Sequence, residues 1–368
     1  MKNIYLQLAN EVSLEKPLVL ATVTRTQGST PQKPGSSAIF TSEGLISGTV
    51  GGGIVEGRVQ VAAFEAIKTK RSGLFTYNLY NDITKTEEAI CGGQITVLLD
   101  ANPVSSINVY RQIMDSLQQR IPGVLITRMR DSNDSSVLIN RYWMSSSLLP
   151  DIPGIYLEKI TPVVAEQIAK GTTSDLREMT LSHPDEELAS HFLLEPVFPP
   201  DHLVIAGAGH IGRALAHLGN LLDFEVTVID DRTEYANKEN IPDADHIIVN
   251  DIGVAMLDLK KREDTYVVIV TRGHKDDAEA LKPCMNAGLA YTGMIGSKKK
   301  VATMRDSFIE RGFATKEQWD RIYTPIGIDI GSQSVEEIAV SIAAQLIQVR
   351  SGKRQVSTGN RNSEAGRR

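Results

Sequence analysis

With 368 residues, 41% of them hydrophobic and 23% charged, the chain is long enough for two ordinary cores and has the make-up of a soluble globular protein. A formal net charge of -6 gives no footing for a nucleic-acid partner, because phosphate backbones are met by clustered Lys and Arg. Cys91 and Cys284 lie far apart and outside any CxxC or zinc spacing, which excludes a disulfide framework and points to a reducing compartment.

The first residues place Ile4, Leu6, Leu8, Ala9 and Val12 near helical spacing, with charges every few positions and no unbroken apolar stretch of the signal-peptide kind. No apolar run reaches the length of a membrane span, so a cytoplasmic protein without a membrane partner is expected. After Pro17, LVLATVTRT reads as a strand, and further strands are expected over 37–40, 74–80, 95–99 and 124–129. Helices are expected over 54–68 and 104–117, and the alternation predicts an N-terminal α/β domain. From Asp131 to Glu187 loop signals such as DSNDSS and weak periodicity define no clear element, and the stretch is assigned to this first domain.

Three glycine-bearing segments stand out in it. RTQGSTPQKPG is a turn-rich segment between strands. In GTVGGGIVEG, Gly51, Gly52 and Gly53 open straight into a helix whose first turn holds Glu56. Bare helix amides there suit a phosphate or other oxyanion, and a tight strand-to-helix crossing is the plainer alternative. In CGG, Gly92 and Gly93 flank Cys91 ahead of a strand and leave its sulfur accessible, as a metal ligand or sulfur carrier requires; an inert buried cysteine is the alternative.

EPVFPPDH, with Pro196, Pro199 and Pro200, reads as a stiff linker. It divides a domain over 1–198 from one over 199–352, with a polar, flexible tail over 353–368. The second domain opens with HLVIAGAGHIGRALAHLGNLLDFEVTVIDDR. A buried strand feeds a GxGxxG in which Gly207 makes the turn, Gly209 admits a phosphate and Gly212 lets the helix lie close. The helix from Ile211 to Leu222 offers free N–H groups, and Asp230 ends the next strand, where a carboxylate bonds ribose hydroxyls. Further strands over 247–249, 266–270 and 291–295 complete a Rossmann-type, doubly wound parallel sheet. Its strand ends make His210, Asn250, Arg272, His274 and Gly296 neighbours of one crevice. His210 and His274 are placed to share a proton or a metal, or else are exposed loop histidines. The LysLysLys run at 298–300 reads as a solvated helix start. TPIGIDIG forms a loop set to close over the crevice, and Ser334 to Glu337 caps a final apolar helix that packs on the sheet or on a second subunit, which makes a homodimer an expectation.

These segments in this order resemble the XdhC/CoxI-like accessory proteins of molybdenum hydroxylases such as xanthine dehydrogenase. The likeness runs through RTQGSTPQKPG, GTVGGGIVEG, CGG, EPVFPPDHLVIAGAGHIG, DDR, TRGHKDDAEAL, YTGMIGSKKK and PIGIDIGSQSVEEIAVSIAAQ. It implies a protein that binds molybdenum cofactor (molybdopterin), protects it while its terminal sulfur is installed, and delivers it to the hydroxylase apo-enzyme, with a cysteine desulfurase as a further partner. The implied cofactor-binding residues are Gly51, Gly52, Gly53, Glu56, Gly92, Gly93, Gly207, Gly209, His210, Gly212, Asp230 and His274, with Cys91 as the reactive thiol and no bound metal of its own. The family pattern often reads GGCVE where this chain has Ile54, which leaves Cys91 the only candidate thiol of the first domain and favours chaperoning over chemistry by the protein itself. The competing expectation is an NAD(P)-dependent oxidoreductase using the second domain, against which no Tyr-x-x-x-Lys or similar hydride-transfer set is found; a docking scaffold without cofactor is the third.

Overall fold

A computed structural model of the chain describes residues 4–12, 17–79, 92–132, 136–171, 176–184 and 188–356, which fall into two compact units, Met1–Pro199 and Pro200–Arg368. The first unit runs α1 (Ile4–Val12), β1 (Leu18–Gly28), β2 (Ser37–Thr41), β3 (Gly44–Gly48), α2 (Gly53–Thr69), β4 (Gly73–Asn78), β5 (Gly93–Asp100), α3 (Ile107–Gln118), β6 (Gly123–Asp131), β7 (Val137–Ser145), α4 (Gly154–Lys170), β8 (Arg177–Leu181) and β9 (Ser190–Val197). Its strands form a five-stranded sheet, β3-β2-β1-β5-β4, and a four-stranded sheet, β7-β6-β9-β8, with antiparallel pairing throughout. The α/β character expected from the alternation is present; strand direction is set instead by the short returns, such as the Ser42–Glu43 turn that folds β3 back on β2.

β1 explains why LVLATVT lacks alternation, since both its faces are covered. On one side α2 turns Val55, Val59, Ala63 and Ala66 toward Val19, Ala21, Val23, Ile95 and Val97. On the other, Leu18, Leu20 and Ile39 meet Tyr5 and Leu8 of α1 and Tyr110, Ile113 and Leu117 of α3. The second sheet is covered by α4 through Tyr156, Ile160 and Val164. This helix carries Pro162 in its interior, on an exposed position, which is one reason the sequence shows weak helical signal there.

The second unit runs β10 (His202–Ala206), α5 (His210–Leu221), β11 (Glu225–Asp230), β12 (His246–Val249), α6 (Ile252–Asp258), β13 (Thr265–Ile269), α7 (His274–Leu281), β14 (Tyr291–Met294), α8 (Lys298–Glu310), α9 (Lys316–Trp319) and α10 (Val335–Val356). Its strands are parallel in the order β12-β11-β10-β13-β14. Leu215 and Ala216 of α5 pack with Ala339, Ile342 and Leu346 of α10 on one face, while Met256 of α6, Leu281 of α7, Phe308 of α8 and Trp319 pack on the other. This is the doubly wound arrangement the sequence predicts. The capping box of α10 also forms: Glu337 N–H donates to Ser334 Oγ at 3.2 Å and Ser334 N–H to Glu337 Oε2 at 3.0 Å. The TPIGIDIG loop is held on α10, with Gly327 N–H donating to Gln345 Oε1 at 2.9 Å and Ser341 Oγ to the Ile328 carbonyl at 2.6 Å. Val340 and Ile347 of α10 stay exposed at 49% and 39%. Among the described residues no helix is long and apolar enough to cross a membrane.

Candidate functional site

The strand order places β10 between β11 and β13, the point where the winding reverses and where open α/β sheets take their ligands. The three fingerprint glycines there have different reasons to be glycine. Gly207 holds φ +118, and a Cβ on it would stand 2.5 Å from the Val270 carbonyl oxygen. A Cβ on Gly212 would collide with the carbonyl oxygen of Gly207, so α5 lies on the turn only because that atom is missing. Gly209 has an ordinary φ of -70, caps α5 without a side-chain hydrogen bond, and has nothing within 4 Å of the place a Cβ would take. The fold demands the first and third; the middle one, where α5 begins, meets no neighbour that would demand it.

Asp230 is buried and fully engaged. Its Oδ2 accepts from Ala208 N–H at 2.7 Å and Arg232 Nη2 at 2.9 Å, and its Oδ1 from Arg232 N–H at 3.1 Å and Nε at 2.8 Å. These four donors match the roughly four lone-pair sites of a carboxylate. Burial acts to raise its pKa, but the Arg232 fork and the two backbone donors outweigh it and hold the carboxyl at about 2. While Arg232 sits there, stacked 3.9 Å over the Tyr235 ring, Asp230 braces the glycine turn and has no acceptor left for a ribose hydroxyl.

Charged groups from distant segments complete the rim. Arg272 Nη2 meets Asp231 Oδ2 at 2.8 Å and its Nε lies 3.5 Å from Asp276 Oδ2. Thr271 Oγ1 donates to Asp277 Oδ1 at 2.6 Å, and Lys300 Nζ pairs with Asp277 Oδ2. Lys300 thus departs from the solvated lysine run expected of it, while Lys298 and Lys299 are exposed. His210 and His274 begin α5 and α7 and are both exposed, and among the described residues no group of His, Cys, Asp or Glu is placed to hold a metal. Asn250 follows β12 and donates its N–H to the Asp230 carbonyl at 3.2 Å, and Gly296 lies against the Lys300 stem. Sequence reasoning named Asp230, Arg272 and His274 and missed Asp231, Arg232, Asp277 and Lys300; the dense charges of DDR, GHKDD and SKKK were the available signal.

In the first unit, segments far apart in sequence meet at one end of the five-stranded sheet. Gly28, ending β1, pairs with Gly93, beginning β5, and a Cβ on Gly28 would stand 2.8 Å from the Gly92 carbonyl oxygen. At the same end β3 delivers Gly51, where a Cβ would stand 2.9 Å from Pro31 Cγ, so the Thr26–Gly35 and Gly48–Gly57 segments pack together. Gly52 (φ +66) and Gly53 (φ +51) open α2 in left-handed conformations, with nothing within 4 Å of a Cβ on either. Glu56 accepts from Thr49 Oγ1 at 2.9 Å and so ties the loop to the first turn of α2. Cys91 lies outside the described residues. The other thiol, Cys284, is buried, donates to the Ala280 carbonyl at 3.4 Å and is pushed by burial up to about 12.

Fold and turns together define a Rossmann-domain protein whose sheet is joined in sequence to an antiparallel, glycine-looped unit. Family models match both parts, the XdhC and CoxI family over residues 12–78 and the XdhC Rossmann domain over 203–346. The chain belongs to the XdhC and CoxI family. It is 24% identical to a probable xanthine dehydrogenase subunit of Bacillus subtilis (strain 168), over 95% of this chain and 98% of that one. It is also 34% identical over 149 residues to the uncharacterized protein YqeB of Escherichia coli (strain K12), a match spanning 40% of this chain and 27% of that protein's length. A crystal structure of a xanthine dehydrogenase from Bacillus halodurans shares the fold, with a TM-score of 0.77 at 24% identity over 97% of this chain and 98% of that chain.

Proposed function

We propose that this chain is an accessory protein of a molybdenum hydroxylase of the xanthine dehydrogenase type, which binds molybdenum cofactor, shelters it during sulfuration and assists its insertion. The observation that carries this reading is the open space at Gly52, Gly53 and Gly209, each at the start of a helix with unblocked amides. A pterin cofactor ends in a phosphate, and a glycine-led helix start meets a phosphate with N–H donors and the positive end of the helix dipole. The cradle therefore fits the group. Amides from Gly209 and His210, or from Gly52 and Gly53, would hold the phosphate end.

The cofactor itself supplies redox chemistry only once it is in the hydroxylase; this chain's residues bind, orient and exclude water. Family membership and the Bacillus subtilis relative's name support a hydroxylase apo-enzyme as partner. A cysteine desulfurase and a second copy of the chain belong to the same proposal, the latter through the exposed Val340 and Ile347 of α10. The four donors on Asp230 count against a nicotinamide dinucleotide held in the usual way through its ribose. The test is release of pterin on denaturing the purified full chain, read by fluorescence after oxidation. Stoichiometric pterin that Gly209→Val loses while folding normally is the expected result; absence of pterin after exposure to free cofactor overturns the reading.

A further inference from the structure

Arg272 and Asp231 come from strands on opposite sides of the glycine turn. Asp231 follows β11, Arg272 follows β13, and β10 with Gly207 to Gly209 lies between them. Their 2.8 Å contact therefore ties together the two walls of the crevice, along the line an extended phosphate-bearing ligand follows over the turn.

The two arginines of this rim are used differently. Arg232 spends its fork on Asp230, with Nε and Nη2 on separate oxygens of a buried carboxylate. Arg272 touches two different carboxylates at single points, Asp231 through Nη2 and Asp276 through Nε, and is half exposed. Its paired N–H edge, the feature that lets arginine grip carboxylate or phosphate two-handed, is not engaged by any one partner. An exposed ion pair is worth little, so exchanging Asp231 for a doubly charged phosphate is favourable.

We propose that Arg272 is the anion-recognition side chain of the switch-point crevice, held across the glycine turn by Asp231 until a phosphate- or diphosphate-bearing ligand takes its place. The inference rests on the cofactor-holding reading and adds to it a named side chain and a gate. Entry of the ligand breaks the Arg272–Asp231 contact and leaves Asp276 to steady the guanidinium. The backbone amides at Gly209 meet one side of the phosphate and Arg272 the other.

The probes are ADP and inorganic pyrophosphate, titrated by calorimetry at low salt into the full chain and its D231N and R272Q variants. D231N, which removes the competitor, should tighten both about two- to fivefold, the worth of an exposed ion pair. R272Q should weaken both about tenfold or more, and the double variant should match R272Q. Thermal melts check that both variants stay folded. If D231N weakens binding as R272Q does, the pair merely shapes the turn and the proposal falls. It falls equally if R272Q binds as tightly as the parent chain, or if no protein binds either probe. Pterin release from the parent chain is scored separately, so its persistence beside a failed phosphate titration sinks the gate alone.

Discussion

Gly212 faces the carbonyl oxygen of Gly207 so closely that a single methyl group on Gly212 would overlap it. Gly209, between them, faces nothing. One motif therefore contains a glycine that packing requires and a glycine that packing does not.

That contrast predicts opposite phenotypes. Gly212→Ala forces α5 off its strand and should cost about 2 kcal/mol or more, the scale of overpacking a closed site. Gly209→Ala, at φ -70, should leave thermal stability within about 0.5 kcal/mol of the parent. Equal melting shifts for the two variants would contradict the assignment.

The paired left-handed glycines at the start of α2 give a second test. Gly52→Ala and Gly53→Ala meet no neighbour but must adopt φ +66 and +51, so each should lose about 1 to 2 kcal/mol. Gly52 pairs φ +66 with ψ 175, a region essentially confined to glycine, so Gly52→Asn should do no better than Gly52→Ala. Denaturant melts of the three variants decide it, and variants as stable as the parent chain would sink the argument.

Two carboxyls, Glu195 and Asp230, should contribute to pH dependence with opposite sign. Glu195 accepts from Tyr5 OH at 2.5 Å, and burial raises its carboxyl to about 7 despite that bond and nearby Arg141. The folded state holds this proton more tightly than the unfolded chain does. Its contribution is thus fully present below the unfolded carboxyl pKa of about 4.3 and is lost as pH rises toward 7. Glu195→Gln should flatten that decline, leaving stability at pH 8 higher than in the parent chain.

Asp230 runs the other way. Held at about 2, it stabilises the second unit above the unfolded value of about 3.9 and loses that contribution as pH falls toward 2. Arg232→Ala leaves the buried carboxylate with backbone donors only, so acid unfolding should move to higher pH and neutral stability should drop by about 3 kcal/mol. An unchanged acid midpoint would show that the backbone donors alone hold the charge.

Thiol labelling supplies the last prediction. Cys284, buried with its thiol raised to about 12, should resist iodoacetamide at pH 8 in the folded chain and react once the chain is unfolded, as read by peptide mass. Rapid native labelling at Cys284 would mean that α7 opens.

The amino-acid sequence by itself determined the second unit. Strand, glycines, helix, strand and terminal acid follow one another from His202 to Asp230, and parallel strands joined by helices leave few other ways to bury those apolar runs. Gly207 and Gly212 were legible for the same reason, since their constraint is local to one turn. In the first unit the sequence determined a strand at β1 and glycines opening α2, but its strands lack a crossover rule, and their antiparallel order came from how the returns between them fold.

Only the tertiary structure decided which distant groups meet. Gly28 against Gly93, Pro31 against Gly51, Asp231 with Arg272 and Asp277 with Lys300 are contacts between segments at strand ends, set by strand order and register rather than by spacing along the chain. A charge beside a strand end carries no mark of its partner until the sheet brings another strand end near it, and for that reason Arg272 on Asp231 and Lys300 on Asp277 were invisible beforehand.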